Sequence, residues 1–158
     1  MTYLTDPTGF VIPQYMDYAL AAVRTEYASH SDVTLPERNY WTIGGVAADC
    51  EQAVLIVQQH VLGSAGAPIE LTQCNAPRSL TFLFQVLRCV TVASGRGSRP
   101  PESSAIQADS VTPTQDMEIM MDLATSFDTY NQGIIVTIDA VVAEGGFHGA
   151  QATYTVTL

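Results

Sequence analysis

The chain has no lysine. Its 158 residues carry sixteen acids against six bases, all arginine (Arg24, Arg38, Arg78, Arg88, Arg96 and Arg99), for a formal net charge of −10. Six scattered arginines in so acidic a chain cannot build the basic stripe that nucleic-acid binding by counterion release requires. Anionic membrane surfaces are disfavoured by the same argument. Arginine without lysine is also what a GC-rich genome imposes, and acidity alone confers solubility. No apolar run reaches the ~18 residues of a membrane span. The longest, Ile134 to Ala143, is interrupted by Thr137 and Asp139. Met1-Thr-Tyr-Leu-Thr-Asp has neither the basic start nor the apolar stretch of an export signal, which predicts a protein made and assembled in the cytoplasm.

Motifs that carry chemistry are equally scarce. Cys50, Cys74 and Cys89 form no Cys-x-x-Cys pair, and His30, His60 and His148 lie far apart in sequence. Neither metal nor cofactor is expected, and the thiols are expected to be unlinked and buried as small hydrophobes. Ligands that meet only in the fold leave a zinc site of three cysteines and one histidine open. Gly95-Arg-Gly97 is too short for a dinucleotide fingerprint and is not followed by Gly-Lys-Ser/Thr. There is no Gly-x-Ser-x-Gly elbow. In Asp49-Cys50-Glu51 the flanking acids work against thiolate formation. Asp139 is a lone acid inside a strand pattern, more in keeping with a solvated sheet face or a subunit contact. No catalytic residue is predicted, and the chain is not expected to be an enzyme.

What is present is periodicity. Ile12, Met16, Ala19, Val23 and Tyr27 make one apolar stripe and predict a helix over 12–28, with Pro13 tolerated in its first turn. Tyr40 to Ile43 suits a short strand. Residues 50–62, apolar on both parities, predict a central strand covered on both faces. Residues 78–92 predict a second long strand, with Leu80, Phe82, Phe84, Val86, Val90 and Val92 on one face interrupted only by Arg88. The two are expected to pair antiparallel around the segment 63–77. Thr112-Pro113-Thr114-Gln115 reads as a capping box opening a helix over 113–130, buried through Met117, Met120, Met121, Ala124 and Phe127 and closed at Gly133. Strands over 134–143 and 150–158 follow as a hairpin. The second, strictly alternating, is expected at the sheet margin. The whole is a single α/β domain of the α+β type: about four strands, mostly antiparallel, under two main packing helices.

Four clusters in that order of elements carry a resemblance: Asp49-Cys50-Glu51-Gln52, Cys74-Asn75-Ala76-Pro77-Arg78, Arg88-Cys89-Val90 and the loop Gly95 to Pro101. With them, the stretch from about Pro36 onward resembles the tail terminator (tail-completion) proteins of long-tailed actinobacterial phages. The resemblance implies a structural virion protein of the tail and neck, assembled in the host cytoplasm as a hexameric ring without enzymatic chemistry. It implies as partners further copies of the chain, the tail-tube protein and the head-completion or stopper protein. DNA would pass through the bore without specific binding, and a bore lined by acids such as Glu70, Glu102, Asp109 or Glu144 would repel phosphate. Neighbouring readings are the head–tail stopper and a tail-tube-like subunit, and from another class a small-ligand-binding α+β domain whose methionine stripe lines a pocket. Assembly contacts are expected in the long loop from Ala93 to Val111 and in Gly63 to Pro77. The interface candidates are Arg96, Arg99, Glu102, Arg78 and Glu70, with the arginines meeting carboxylates of a partner.

Overall fold

The computed structural model describes residues 11–64, 67–68, 77–90, 100–144 and 146–158. The first element is helix α1 (Val11–Ser29), whose buried stripe is Tyr15, Met16, Ala19, Val23 and Tyr27. It leads into strand β1 (Arg38–Ile43), then β2 (Gln52–Ser64), a two-residue β3 (Ala67–Pro68) and β4 (Arg78–Cys89). Helix α2 (Ser103–Phe127) and the strands β5 (Ile134–Glu144) and β6 (Phe147–Thr157) complete the chain. The main sheet has the order β1-β2-β4-β6-β5, with β3 folded back on the end of β2. Every pairing is antiparallel except β1 with β2. The sheet is therefore mixed and five-stranded, one strand more than the long apolar runs alone indicate.

Both helices lie on one face of this sheet. They cover Ala53, Leu55 and Val57 of β2, Leu80, Phe82, Phe84 and Val86 of β4, and Ala150, Ala152, Tyr154 and Val156 of β6. The aromatic centre is Phe82, stacked on Tyr154 at 5.4 Å, with the Phe127 ring edge-on to both. Three phenols of α1 reach across to α2. Tyr15 donates to the Phe127 carbonyl at 2.8 Å, Tyr18 to the Ser126 carbonyl at 2.7 Å, and Tyr27 to Asp116 at 2.7 Å. These pairings run the two helices antiparallel.

The opposite face carries Thr81 against Thr155 at 2.9 Å and Gln85 against Gln151 at 3.2 Å, flanked by the threonines of β5 and β6. No helix among the described residues covers it. So β2 is central, as its two-sided pattern predicts, but helices cover only one of its faces. Val54 and Gln52 are nonetheless buried on the other, where Gln52 donates to the Ala47 carbonyl at 3.2 Å.

Several boundaries move. The second helix begins at Ser103 rather than Pro113, so the apparent capping box lies within it and Pro113 is an interior, buried residue. Hydroxyls on either side take up backbone carbonyls there: Ser110 donates to Ile106 and Thr114 to Val111. The residues 103–111, where the sequence suggests a loop with at most a short helical turn near 104–109, are helical throughout. The buried stripe of α2 is Asp116, Ile119, Met120, Leu123 and Phe127, while Met121 faces solvent. The methionines of this helix thus divide between core (Met120) and surface (Met121). The helix stops at Phe127, three residues short of the expected 130, because the Asp128 carboxylate accepts the backbone N–H groups of Gln132 and Gly133 at 3.0 Å each. Strand β4 ends at Cys89, with Val90 beyond it, and residues 91–92 of the expected strand lie outside the described residues. The final strand begins at Phe147 and occupies an interior place between β4 and β5. Its polar alternation reflects a sheet open on one face, which mimics a margin in sequence.

Candidate functional site

Strand parity forces a charge inward. Arg88 shares the core face of β4 with Phe84 and Val86, and only 8% of it is exposed. Such a guanidinium needs a partner from the helix layer, and Asp116, on the buried stripe of α2, supplies it. The Nε of Arg88 donates to Oδ2 of Asp116 at 3.0 Å and Nη2 to Oδ1 at 2.7 Å, a bidentate fork. Tyr27 completes the set by donating to Oδ1. On the outer side Nη1 of Arg88 lies 3.6 Å from Oε2 of Glu51, whose Oε1 accepts the Cys89 N–H at 3.2 Å. Glu51 adopts a left-handed backbone, φ 58°, directly before β2.

The electrostatics fit a permanent ion pair. Burial alone would lower the Arg88 pKa, but its hydrogen bonds to Asp116 and the negative charges of Asp116 and Glu51 outweigh it and the net displacement is upward. Burial raises the Tyr27 phenol far above its ordinary range, helped by the charge and hydrogen bond of Asp116 and only partly opposed by Arg88. A phenol held in this way donates a hydrogen bond and does not act as a base.

Beside this network Cys50 and Cys89 form a disulfide with their Cα atoms 4.8 Å apart. The expectation of unlinked thiols is therefore overturned. The reason is register: Gln52 pairs with Leu87, so continuing the ladder two residues outward sets Cys50 opposite Cys89. The bond also removes two ligands from any three-cysteine zinc site. Cys74 lies outside the described residues.

A cleft of about 320 Å³ opens over the joint, with Asp32, Glu51, Arg88, Asp109, Thr112 and His148 in its wall. Its polar rim is richer in carboxylates than in cations, which disfavours anionic guests. The groups nearest to it are already committed: the thiols to each other and the guanidinium to its fork. The arrangement fastens the start of β2, the end of β4 and the middle of α2 together.

Of the five predicted interface residues, two can be placed. Arg78 opens β4, is exposed, and accepts the Leu158 N–H on its carbonyl at 2.6 Å; it borders a small hollow with Ile12, Pro13 and His60. Glu102 is exposed just ahead of α2, where its carbonyl accepts the N–H groups of Ala105 and Ile106. Arg78 belongs to the end of β4 opposite Arg88, roughly 33 Å away at strand rise, so the structure does not bring these two together. Glu70, Arg96 and Arg99 lie outside the described residues. Among the proposed bore acids, Asp109 falls inside α2, while Glu144 is the last residue of β5, beside the turn to β6.

One group of potential metal ligands gathers among the described residues: Glu26 and His30 of α1 and its C-terminal flank, with Asp122 of α2, their ligand atoms within 4.8 Å of one another. His30 and Asp122 are exposed, and His30 Nε2 lies 3.3 Å from Glu26 Oε1. This is an ordinary charged helix surface with no enclosing shell. Among the described residues, no helix is long and apolar enough to cross a membrane.

The joint was missed in sequence, although one signal was visible: Arg88 interrupts an otherwise apolar face. A charge there demands a buried acid, but Asp116 reads equally well as a dipole-complementing residue in a first helical turn. No protein-family model matches the chain, and no curated protein matches it.

Proposed function

We propose that the chain is a structural subunit of a phage head–tail connector, a tail terminator that caps the tail tube as a six-membered ring and offers the head its docking surface. One observation carries the reading. Two of the clusters on which the resemblance rests, residues 49–52 and 88–90, meet as one joint through the Cys50–Cys89 bond and the Glu51–Arg88 contact. Residues that looked like unrelated habits of a family thus share a mechanical reason to occur together. A mixed sheet with helices on one face, and no helix among the described residues on the other, gives such a subunit one layer for stability and one for neighbours. Its partners are further copies, the tail-tube protein and the stopper. The net charge of −10 suits a bore through which DNA passes without being held.

The test is deletion of the gene in the phage that encodes it, with mass spectrometry of purified particles. Loss of the protein should leave filled heads unattached to tails of irregular length, and the wild-type protein should be found in virions at a few copies. Normal head–tail joining without it, or its absence from purified virions, overturns the proposal.

A further inference from the structure

The outer edges of β1 and β5 carry no partner strand among the described residues, and they lie at opposite margins of the sheet. We infer that the β5 edge of one copy pairs with the β1 edge of the next, head to tail, so that the sheets run continuously from copy to copy. The inference deepens the ring reading and rests only on its homo-oligomeric part.

Strand direction allows it. β1 runs with β2, β2 against β4, β4 against β6 and β6 against β5, so β5 points opposite to β1. Copies related by rotation about an axis along the strands therefore meet antiparallel, continuing the alternation found everywhere else in the sheet. Side-chain parity then limits the register. Arg38, Tyr40 and Thr42 share the open face with Gln52, Val54 and Ile56, and Ile135, Thr137 and Asp139 share it with Thr155, Thr153 and Gln151. Only registers that pair even residues of β1 with odd residues of β5 keep the faces aligned.

One such register stands out. Setting Arg38 opposite Asp139 matches an exposed cation to an exposed acid that has no ion pair among the described residues. The same register puts Thr42 opposite Ile135 and Ile43 opposite Ile134. It thereby gives partners to two apolar side chains that the single chain leaves 49% and 78% exposed, Ile135 and Ile43 respectively. The six residues of β1 then cover the first half of β5, 134–139. Pairing β5 with a second β5 about its centre instead sets Asp139 against Asp139, a like-charge contact in an already acidic protein. Charge thus favours the open, head-to-tail pairing, which closes as a ring, over a two-fold dimer.

The experiment is sedimentation velocity of the purified full chain over a wide concentration range, with Arg38→Asp, Asp139→Arg and the double exchange. Wild type should associate beyond a dimer. Each single reversal should weaken association by about tenfold or more, and the double exchange should restore it. Because Arg38 also lies 3.3 Å from Asp49 within the chain, Asp49→Asn serves as the control and should leave association intact. Hydrogen exchange on the wild type, which needs no variant, should show residues 38–43 and 134–139 gaining protection together as concentration rises. A monomer or closed dimer at every concentration, failure of the double exchange to rescue, or protection confined to one edge overturns the inference. These readouts need no phage particle. Swap-rescued association by a protein absent from virions would retire the connector reading alone, and a virion protein indifferent to the exchange would retire only the edge pairing.

Discussion

Replacing Asp116 by alanine tests the joint most directly. The carboxylate is fully buried and accepts three hydrogen bonds, two from Arg88 and one from Tyr27. Its removal leaves Arg88 buried with only the outer contact at 3.6 Å to Glu51, whose side chain is 54% exposed. Breaking one side of a buried pair costs about 3–5 kcal/mol. A stranded phenol adds about 1–3 kcal/mol. The two losses share an atom and overlap, so a total of roughly 4–6 kcal/mol is expected, a large part of the ~5–15 kcal/mol of a whole domain. Thermal unfolding should then occur about 10–20 °C lower, at roughly 2–4 °C per kcal/mol for a chain of this size. Replacing the whole set with apolar groups (Tyr27→Phe, Arg88→Met, Asp116→Leu) should recover most of the loss, because no charge is left unpaired. Urea titration followed by circular dichroism measures all three proteins. A cost below ~1 kcal/mol for Asp116→Ala, or a triple variant less stable than the single one, would show that the buried pair does not hold the layers together.

Under denaturing, non-reducing conditions one cysteine of three should react, Cys74, since Cys50 and Cys89 are bonded; three reactive thiols would contradict the structure. Cys50→Ser should lower stability by up to about 4 kcal/mol, the chain-entropy value for a 39-residue separation, and a calorimetric shift near zero would argue against it. Burial raises the phenols of Tyr15, Tyr27 and Tyr154 above their ordinary value of 10.0. The fold favours their protonated forms, so the stability they add is complete below about pH 10 and falls as pH rises above it. Absorbance titration should show these three ionising only as the protein unfolds, and a smooth titration near pH 10 without loss of helix signal would count against it. Finally, a Cβ at Gly149 would sit 1.9 Å from the Val86 carbonyl oxygen, so Gly149→Ala should cost about 1–3 kcal/mol or more through displacement of β6 from β4; an unchanged melting temperature would show that the strands separate freely.

Periodicity made α1 and the β2–β4 pairing legible because each has one strong apolar pattern and few competing signals. The helix stripe from Met16 to Tyr27 and the even face of β4 from Leu80 to Val86 are buried as read. The start of α2 was misread because Thr112-Pro113 has the chemistry of a helix opening, and only contacts in three dimensions decide whether a proline is first or interior. The place of β6 was misread for a related reason. Alternation reports one wet face, which a margin strand and an interior strand of an open sheet share. The joint was hidden because its contacts join residues far apart in sequence, 28 positions for Arg88 with Asp116, 39 for Cys50 with Cys89 and 89 for Tyr27 with Asp116. Sequence shows that Arg88 needs an acid but not which one, and cysteine spacing says nothing about a partner fixed by register. The resemblance to tail terminators remains a proposal, supported by the way its clusters meet.

The row of phenols on α1 has a mechanical consequence. Tyr15 and Tyr27 are about 18 Å apart along the helix at 1.5 Å per residue, with Tyr18 between them, and all three are anchored on α2. A pull along the axis of α1 strains the three anchors at the same moment, as shear loads a row of rivets. A pull at right angles would open them in turn, like a zip. The molecule is therefore stiff in one direction and yielding in another, and the stiff direction is the one in which its two helices lie.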